Sequence, residues 1–219
     1  MGVRRSWTWV VAGLALALVG QAQPATQRGK WQVVREKDFG IVVPTGWRNF
    51  PRPMGTMRLH LTGDGVLVPI VDETGAPLQL GLTVEKFANS KETLQEGIDA
   101  LTKTAKAQPA LTLVGKESVE AVTLKDGTVA MVLTTEFLKE RTRHSLYLKM
   151  VAKDAAGNGF VVTGFLVGGR ESKWPTKESR MAQWVRAMVE SFVLDGEKAE
   201  AGPVEASYGR LLASTRPAK

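Results

Sequence analysis

"DFGIVVPTGW", Asp38 to Trp47, is the stretch on which the fold turns. Its first three residues spell the magnesium-binding triplet of a protein kinase. The rest reads as a buried strand closed by a turn. A kinase also needs a phosphate-covering glycine loop, a strand lysine and a catalytic loop carrying Asp and Asn. Only 37 residues precede the triplet, and none of those parts is among them. The strand reading remains. With the preceding "WQVVREK", the run alternates and then thickens into apolar residues, which is strand character. Phe39, Ile41 and Val43 fall on one side, Gly40 and Val42 on the other. Pro44 and Gly46 end the run. Trp47 is placed to anchor it against a sheet or a helix. Asp38 marks the approach to the strand and has no metal to hold.

Upstream, "MGVRRSWTWVVAGLALALVGQAQ" has the three-part layout of a secretory signal peptide. Arg4 and Arg5 lead, an uncharged run with an apolar centre follows, and Gly20 and Ala22 stand at −3 and −1 of a cut. The apolar run is about 15 residues, shorter than the roughly 20 that span a bilayer. The twin arginines lack the rest of a twin-arginine signal. The chain has no cysteine, so a lipoprotein anchor, disulfides, thiolate metal sites and a cysteine nucleophile are all excluded. Export would place the protein in the periplasm or outside the cell. Loss of Arg4 and Arg5 takes two charges from the formal +7. The remainder is modestly basic and selects no partner by itself.

Downstream, "RNFPRPMGT" reads as loop, and "RLHLTGDGVLVPIVDETGAPLQLGLTVEKF" as two or three strands with glycine-containing turns. Pro69 argues for an edge position or a bulge there. The period then changes. Leu94, Ile98, Leu101 and Ala105 share a helical face, with Ser90 as the expected N-cap and Pro109 beyond the end. From Leu111 to Val167 the pattern is β again, punctuated by Asp126-Gly127 and "DAAGNG", which gives about four antiparallel strands in a meander. Met181, Trp184, Val185, Met188, Val189 and Phe192 define a second amphipathic helix, whose apolar face is core. The expected organisation is a signal peptide over 1–22, a linker over 23–30, one α/β domain over 31–194 and a flexible tail over 195–219.

Catalytic motifs are missing. There is no GxGxxG, no GxxxxGK[ST] and no GxSxG. The two histidines, His60 and His144, have no partner at zinc-ligand spacing. Asp64, Asp72 and Glu73 lie in turns without EF-hand spacing. No cofactor or metal is expected. His144 is the one candidate base for an envelope hydrolase, although it reads more simply as a surface residue beside Arg141 and Arg143. Phe137 to Arg186 holds ten Lys or Arg against four Asp or Glu. Its runs "KERTRH" and "GGRESKWPTK" place Arg141, Arg143, Arg170, Lys173 and Lys177 as an anion-binding patch for anionic lipid, polymer or an acidic protein. Solvated loops explain the same runs. Nucleic acid is not an expected partner of an exported chain.

The order of elements resembles the PsbP-like and Mog-like superfamily, which includes bacterial PsbP-related exported proteins. Phe39, Gly40, Ile41, Pro44 and Trp47 carry the resemblance at the start, and Ser191 with Phe192 in "VESFVL" carry it at the end. It spans about Trp31 to Leu194. The resemblance implies an α+β fold in which an antiparallel β-sheet is flanked by helices, an α/β/α sandwich. It also implies an accessory or binding role: members include photosystem II extrinsic subunits and a Ran-binding protein. It implies no metal or partner residue here, since no matching functional motif stands in this chain. The expected function is a non-enzymatic accessory or binding module with an unidentified envelope protein as partner. The alternatives are the basic surface binder and the hydrolase.

Overall fold

The computed structural model describes residues 31–45, 47–49, 55–63, 78–108, 111–139, 143–168 and 180–201. Residues 1–30, read as signal peptide and linker, and residues 202–219 lie outside the described residues, as do Asp64, Pro69, Asp72 and Glu73.

The opening stretch splits where one continuous strand was expected. Trp31–Glu36 (β1) and Phe39–Pro44 (β2) pair antiparallel around Lys37-Asp38, with Glu36 opposite Phe39. This turn contains no glycine, asparagine or proline, and Asp38 is its one turn-forming residue, so the sequence signal for it was weak. Asp38 takes an ion pair from Lys86 at 2.8 Å. The hairpin stands apart from the main sheet, and every residue of β2 is buried.

The main sheet is antiparallel. Its remaining strands are Arg48–Asn49 (β3), Met57–Gly63 (β4), Leu78–Phe87 (β5), Leu111–Leu113 (β6), Ser118–Thr123 (β7), Val129–Lys139 (β8), Arg143–Lys153 (β9) and Gly159–Gly168 (β10). The order is β3-β4-β5-β10-β9-β8, and β6 and β7 both pair with the outer side of β8. The meander from β7 to β10 is as the sequence indicated. Both of its glycine turns are three-residue turns. Gly127 N–H donates to Leu124 O and Gly157 N–H to Asp154 O, and each glycine adopts positive φ. Arg48–Asn49 form a short edge strand inside the segment read as loop.

One helix covers each face, giving the expected sandwich. Leu94–Lys106 (α1) packs Ile98 and Leu101 on Leu133, Val151 and Val161. Its N-cap is Thr93, three residues beyond the expected Ser90. Thr93 and Glu96 close a reciprocal capping box, with Glu96 N–H donating to Thr93 Oγ1 at 3.2 Å and Thr93 N–H to Glu96 Oε2 at 2.7 Å. Arg180–Glu190 (α2) covers the opposite face, and Ala182, Val185, Met188 and Val189 join the larger core. The side chains of Met181 and Trp184 lie outside the described residues.

The end of α2 is fastened to β2. Gly40 and Val193 exchange two backbone hydrogen bonds of 2.9 Å. Ser191 Oγ accepts from Val42 N at 3.0 Å and donates to Met188 O at 2.6 Å. The Phe39 ring stacks on Phe192 at 5.5 Å and meets Phe160 edge-on at 6.3 Å. Trp47, 8% exposed, closes the same core, as its position in the turn suggested.

Packed structure continues past Leu194, where the domain was expected to end. Asp195 caps a short 3-10 helix, Gly196–Lys198, and Ala199 is buried against β2. A methyl group on Gly40 would lie 2.8 Å from Ala199 Cβ and 2.9 Å from Gly196 Cα, so only glycine admits this contact. Asp126 Oδ2 accepts from Leu194 N at 2.7 Å, tying the β7–β8 turn to the same segment.

Ser191→Ala removes the acceptor of a buried amide, which costs about 1–3 kcal/mol. Denaturant titration should show a lower midpoint with an unchanged slope. Gly40→Ala should be more damaging, because the segment 195–199 must move away. A Gly40→Ala protein as stable as the parent would show that this segment is not packed as described.

Candidate interaction face

Period-two alternation sorts every strand into two sets. On β10 the even residues face α2, and Gly159, Val161, Thr163, Phe165 and Val167 face the side of α1. Register carries the sorting across the sheet. His60, Thr83, Thr163, Lys149 and Leu133 form one row from β4 to β8. Thr62, Gly81, Phe165, Tyr147 and Thr135 form the next. α1 packs over Leu133, Val151 and Val161. Among the described residues, no other element packs on this side, and Glu85, Thr83, Thr163, Lys149, Tyr147 and Phe165 are only partly buried.

The part of this side beyond α1 mixes aromatic rings with charge. Phe137 and Tyr147 meet edge-on at 6.0 Å, and Tyr147 and Phe165 lie 6.2 Å apart. Phe165 lies across Gly81, where any side chain would overlap its ring. Lys149 Nζ sits 6.0 Å from the centre of the Tyr147 ring, a cation–π arrangement. Thr56 Oγ1 donates to Glu85 Oε2 at 3.4 Å.

Burial disfavours the charged form of each ionisable group here. It lowers the Lys149 ammonium pKa, against the pull of the Glu85 charge. It raises that of Glu85, against the Thr56 hydrogen bond and the charge of Lys149. It lowers that of His60, and it raises that of the Tyr147 phenol, which Ser145 opposes by a hydrogen bond. Thr62 Oγ1 and Thr135 Oγ1 are buried and find no hydrogen-bond partner among the described residues. The arrangement offers rings to stack on, a donor at Lys149 and acceptors at Glu85 and the threonines. That inventory suits recognition.

None of this was singled out in the sequence. Of the candidate residues named there, only His60 is described on this face. Arg141, Arg170, Lys173 and Lys177 lie outside the described residues, and Arg143 and His144 are described only as backbone of β9. The register shows only where the described strands meet these runs. Leu138 faces His144 and Val167 faces Ser145, so both runs leave from one end of adjacent strands. Among the described residues there is no group of three or more His, Asp or Glu able to hold a metal, and no helix long and apolar enough to cross a membrane.

No family model matches the chain, and no curated protein matches it. Solved structures do. The chain is similar to cyanobacterial PsbP (CyanoP) from Synechocystis, at 14% identity and a TM-score of 0.45, over 80% of this chain and 98% of that one. It is also similar to the Ran-binding protein Mog1p of Saccharomyces cerevisiae, at 13% identity and a TM-score of 0.43, over 84% of this chain and 92% of that one. A Mog1 variant gives 11% identity and a TM-score of 0.44, over 81% and 100%. These are the PsbP and Mog proteins that the sequence resembles. At such identities and TM-scores, no partner, site or activity is carried over from them.

Lys149 bears on stability with a definite sign. Its folded pKa lies below its unfolded one, so the unfolded chain binds more protons between the two, and stability rises with pH through that window. Lys149→Met should therefore raise Tm at pH 7, by roughly 2–4 °C for each kcal/mol recovered. The gain should shrink as the pH approaches that of free lysine. A variant that melts lower than the parent at every pH would mean that Lys149 is held by a favourable ion pair.

Proposed function

We propose that this chain is an exported, non-enzymatic binding module that recognises a protein partner of the cell envelope through the partly buried face around Lys149, Glu85, Tyr147 and Phe165. The observation that carries the reading is a partly buried lysine and glutamate on a surface of aromatic rings, with Lys149 Nζ 6.0 Å from the centre of the Tyr147 ring. Apolar residues would serve stability better there. Aromatic side chains beside polar groups are the composition of recognition surfaces. The N-terminal layout supports export.

Two measurements test this. The intact mass of the protein recovered from the envelope fraction should lack residues 1–22; a full-length mass would remove the export claim. A photoreactive residue at Gln79 or Thr83, both on this face, should give a discrete adduct in intact cells. The same residue at Lys116, away from the face, should not. Equal labelling from both positions would sink the face as the binding surface.

The neighbouring exits of the two basic runs favour a second reading, contact with an anionic surface through Arg141, Arg143, Arg170, Lys173 and Lys177. That contact should weaken steeply with salt. Binding to anionic vesicles that is unchanged between low and high salt would discard it. A hydrolase reading would rest on His144 alone.

A further inference from the structure

The two edges of the sheet are built differently. β3 is two residues long, and Pro51 and Pro53 follow it in the sequence. Brevity and proline are the usual guards of an edge. The other edge is formed by β6 and β7. β7, "SVEAVT", is six residues long, pairs with β8 without a register shift, and contains neither lysine nor proline. Its one charge, Glu120, is already engaged by Arg186 Nη1 at 2.7 Å.

The turn tells which backbone groups are free. Leu124 N donates to Thr128 O at 2.8 Å, which marks a hydrogen-bonded pair. Alternation from that pair directs Val122, Glu120 and Ser118 at β8. It turns the N–H and C=O of Val119, Ala121 and Thr123 outward. The same residues are exposed, with Val119 at 42%, and Val129 beside Thr123 is 57% exposed.

We propose that β7 is a self-association edge, taking the β7 strand of a second copy antiparallel across a two-fold axis at Ala121. The strand is complementary to itself in that register. Val119 of each copy stands opposite Thr123 of the other, and Glu120 opposite Val122. Shifting the axis to Glu120 would set like charges directly opposite, which is destabilising. The axis at Ala121 pairs Val119 through Thr123 of each copy and leaves each Glu120–Arg186 pair intact. The dimer extends one sheet into the other and covers Val119 in both copies. A contact built on one strand pair is small, so association is weak and depends on concentration.

Sedimentation velocity of the mature chain, from micromolar to millimolar, should show a monomer–dimer equilibrium. Ala121→Pro removes an outward donor and leaves the bonds to β8 in place, so it should weaken dimerisation at least tenfold with an unchanged circular dichroism spectrum. Ala121→Cys introduces the chain's only cysteine. Opposed hydrogen-bonded residues lie about 5.5 Å apart at Cα, within disulfide range, so this variant should cross-link to a covalent dimer under mild oxidation. A Lys116→Cys control should not cross-link under the same conditions. A monomer at every concentration overturns the proposal, leaving the edge to a foreign strand. So does a dimer indifferent to Ala121→Pro, or equal cross-linking from both cysteine variants.

Discussion

The buried amide of Val42 has no strand partner on the main sheet, and the architecture is arranged around satisfying it and its neighbours. β2 is buried along its whole length, so its backbone groups cannot turn to water. β1 supplies one side. The other is supplied from the far end of the chain by Ser191 Oγ and by the two bonds with Val193. Three phenylalanine rings then fill the space between hairpin, sheet and helix. Gly40 lets the 3-10 segment approach, and Asp126 holds that segment from the opposite side. Each contact presupposes the others, which is why Ser191 and Phe192, outwardly a loose helix end, belong to the centre of the core.

Much of this was legible in the sequence, and particular residues say why. The meander could be read because Asp126-Gly127 and the glycines of "DAAGNG" sit where positive φ is required. α2 could be read because Val185, Met188, Val189 and Phe192 repeat at helical spacing. Trp47 and the β2 run announced a buried strand. The Lys37-Asp38 turn was faint, since Asp38 is its one turn-forming residue and no glycine or asparagine accompanies it. Ser90 and Thr93 are both competent caps, and the Glu three residues after Thr93 decides between them. The C-terminal boundary was drawn too early because "DGEKAEAG" is polar, and its packing depends on a single small residue, Ala199.

The candidate face was illegible for a different reason. Thr83, Thr163 and Lys149 each occupy an ordinary alternating position in their own strand. Taken singly they look like residues turned to solvent. Only the register of β4, β5, β10 and β9 sets them in one row, next to rings contributed by Tyr147 and Phe165. Charge counting pointed instead to the basic runs between strands, because clusters in sequence are visible and clusters across a sheet are not.

The link between Val42 and Ser191 joins residues 149 positions apart. During synthesis the first hairpin leaves the ribosome long before the helix end that completes it. Until then β2 carries apolar side chains and amides with nowhere to go, and the core stays open. Closing so large a loop is slow compared with forming local turns. The chain is thereby delayed in reaching its final shape until nearly all of it has been made. The length of that delay is written into the distance between two residues.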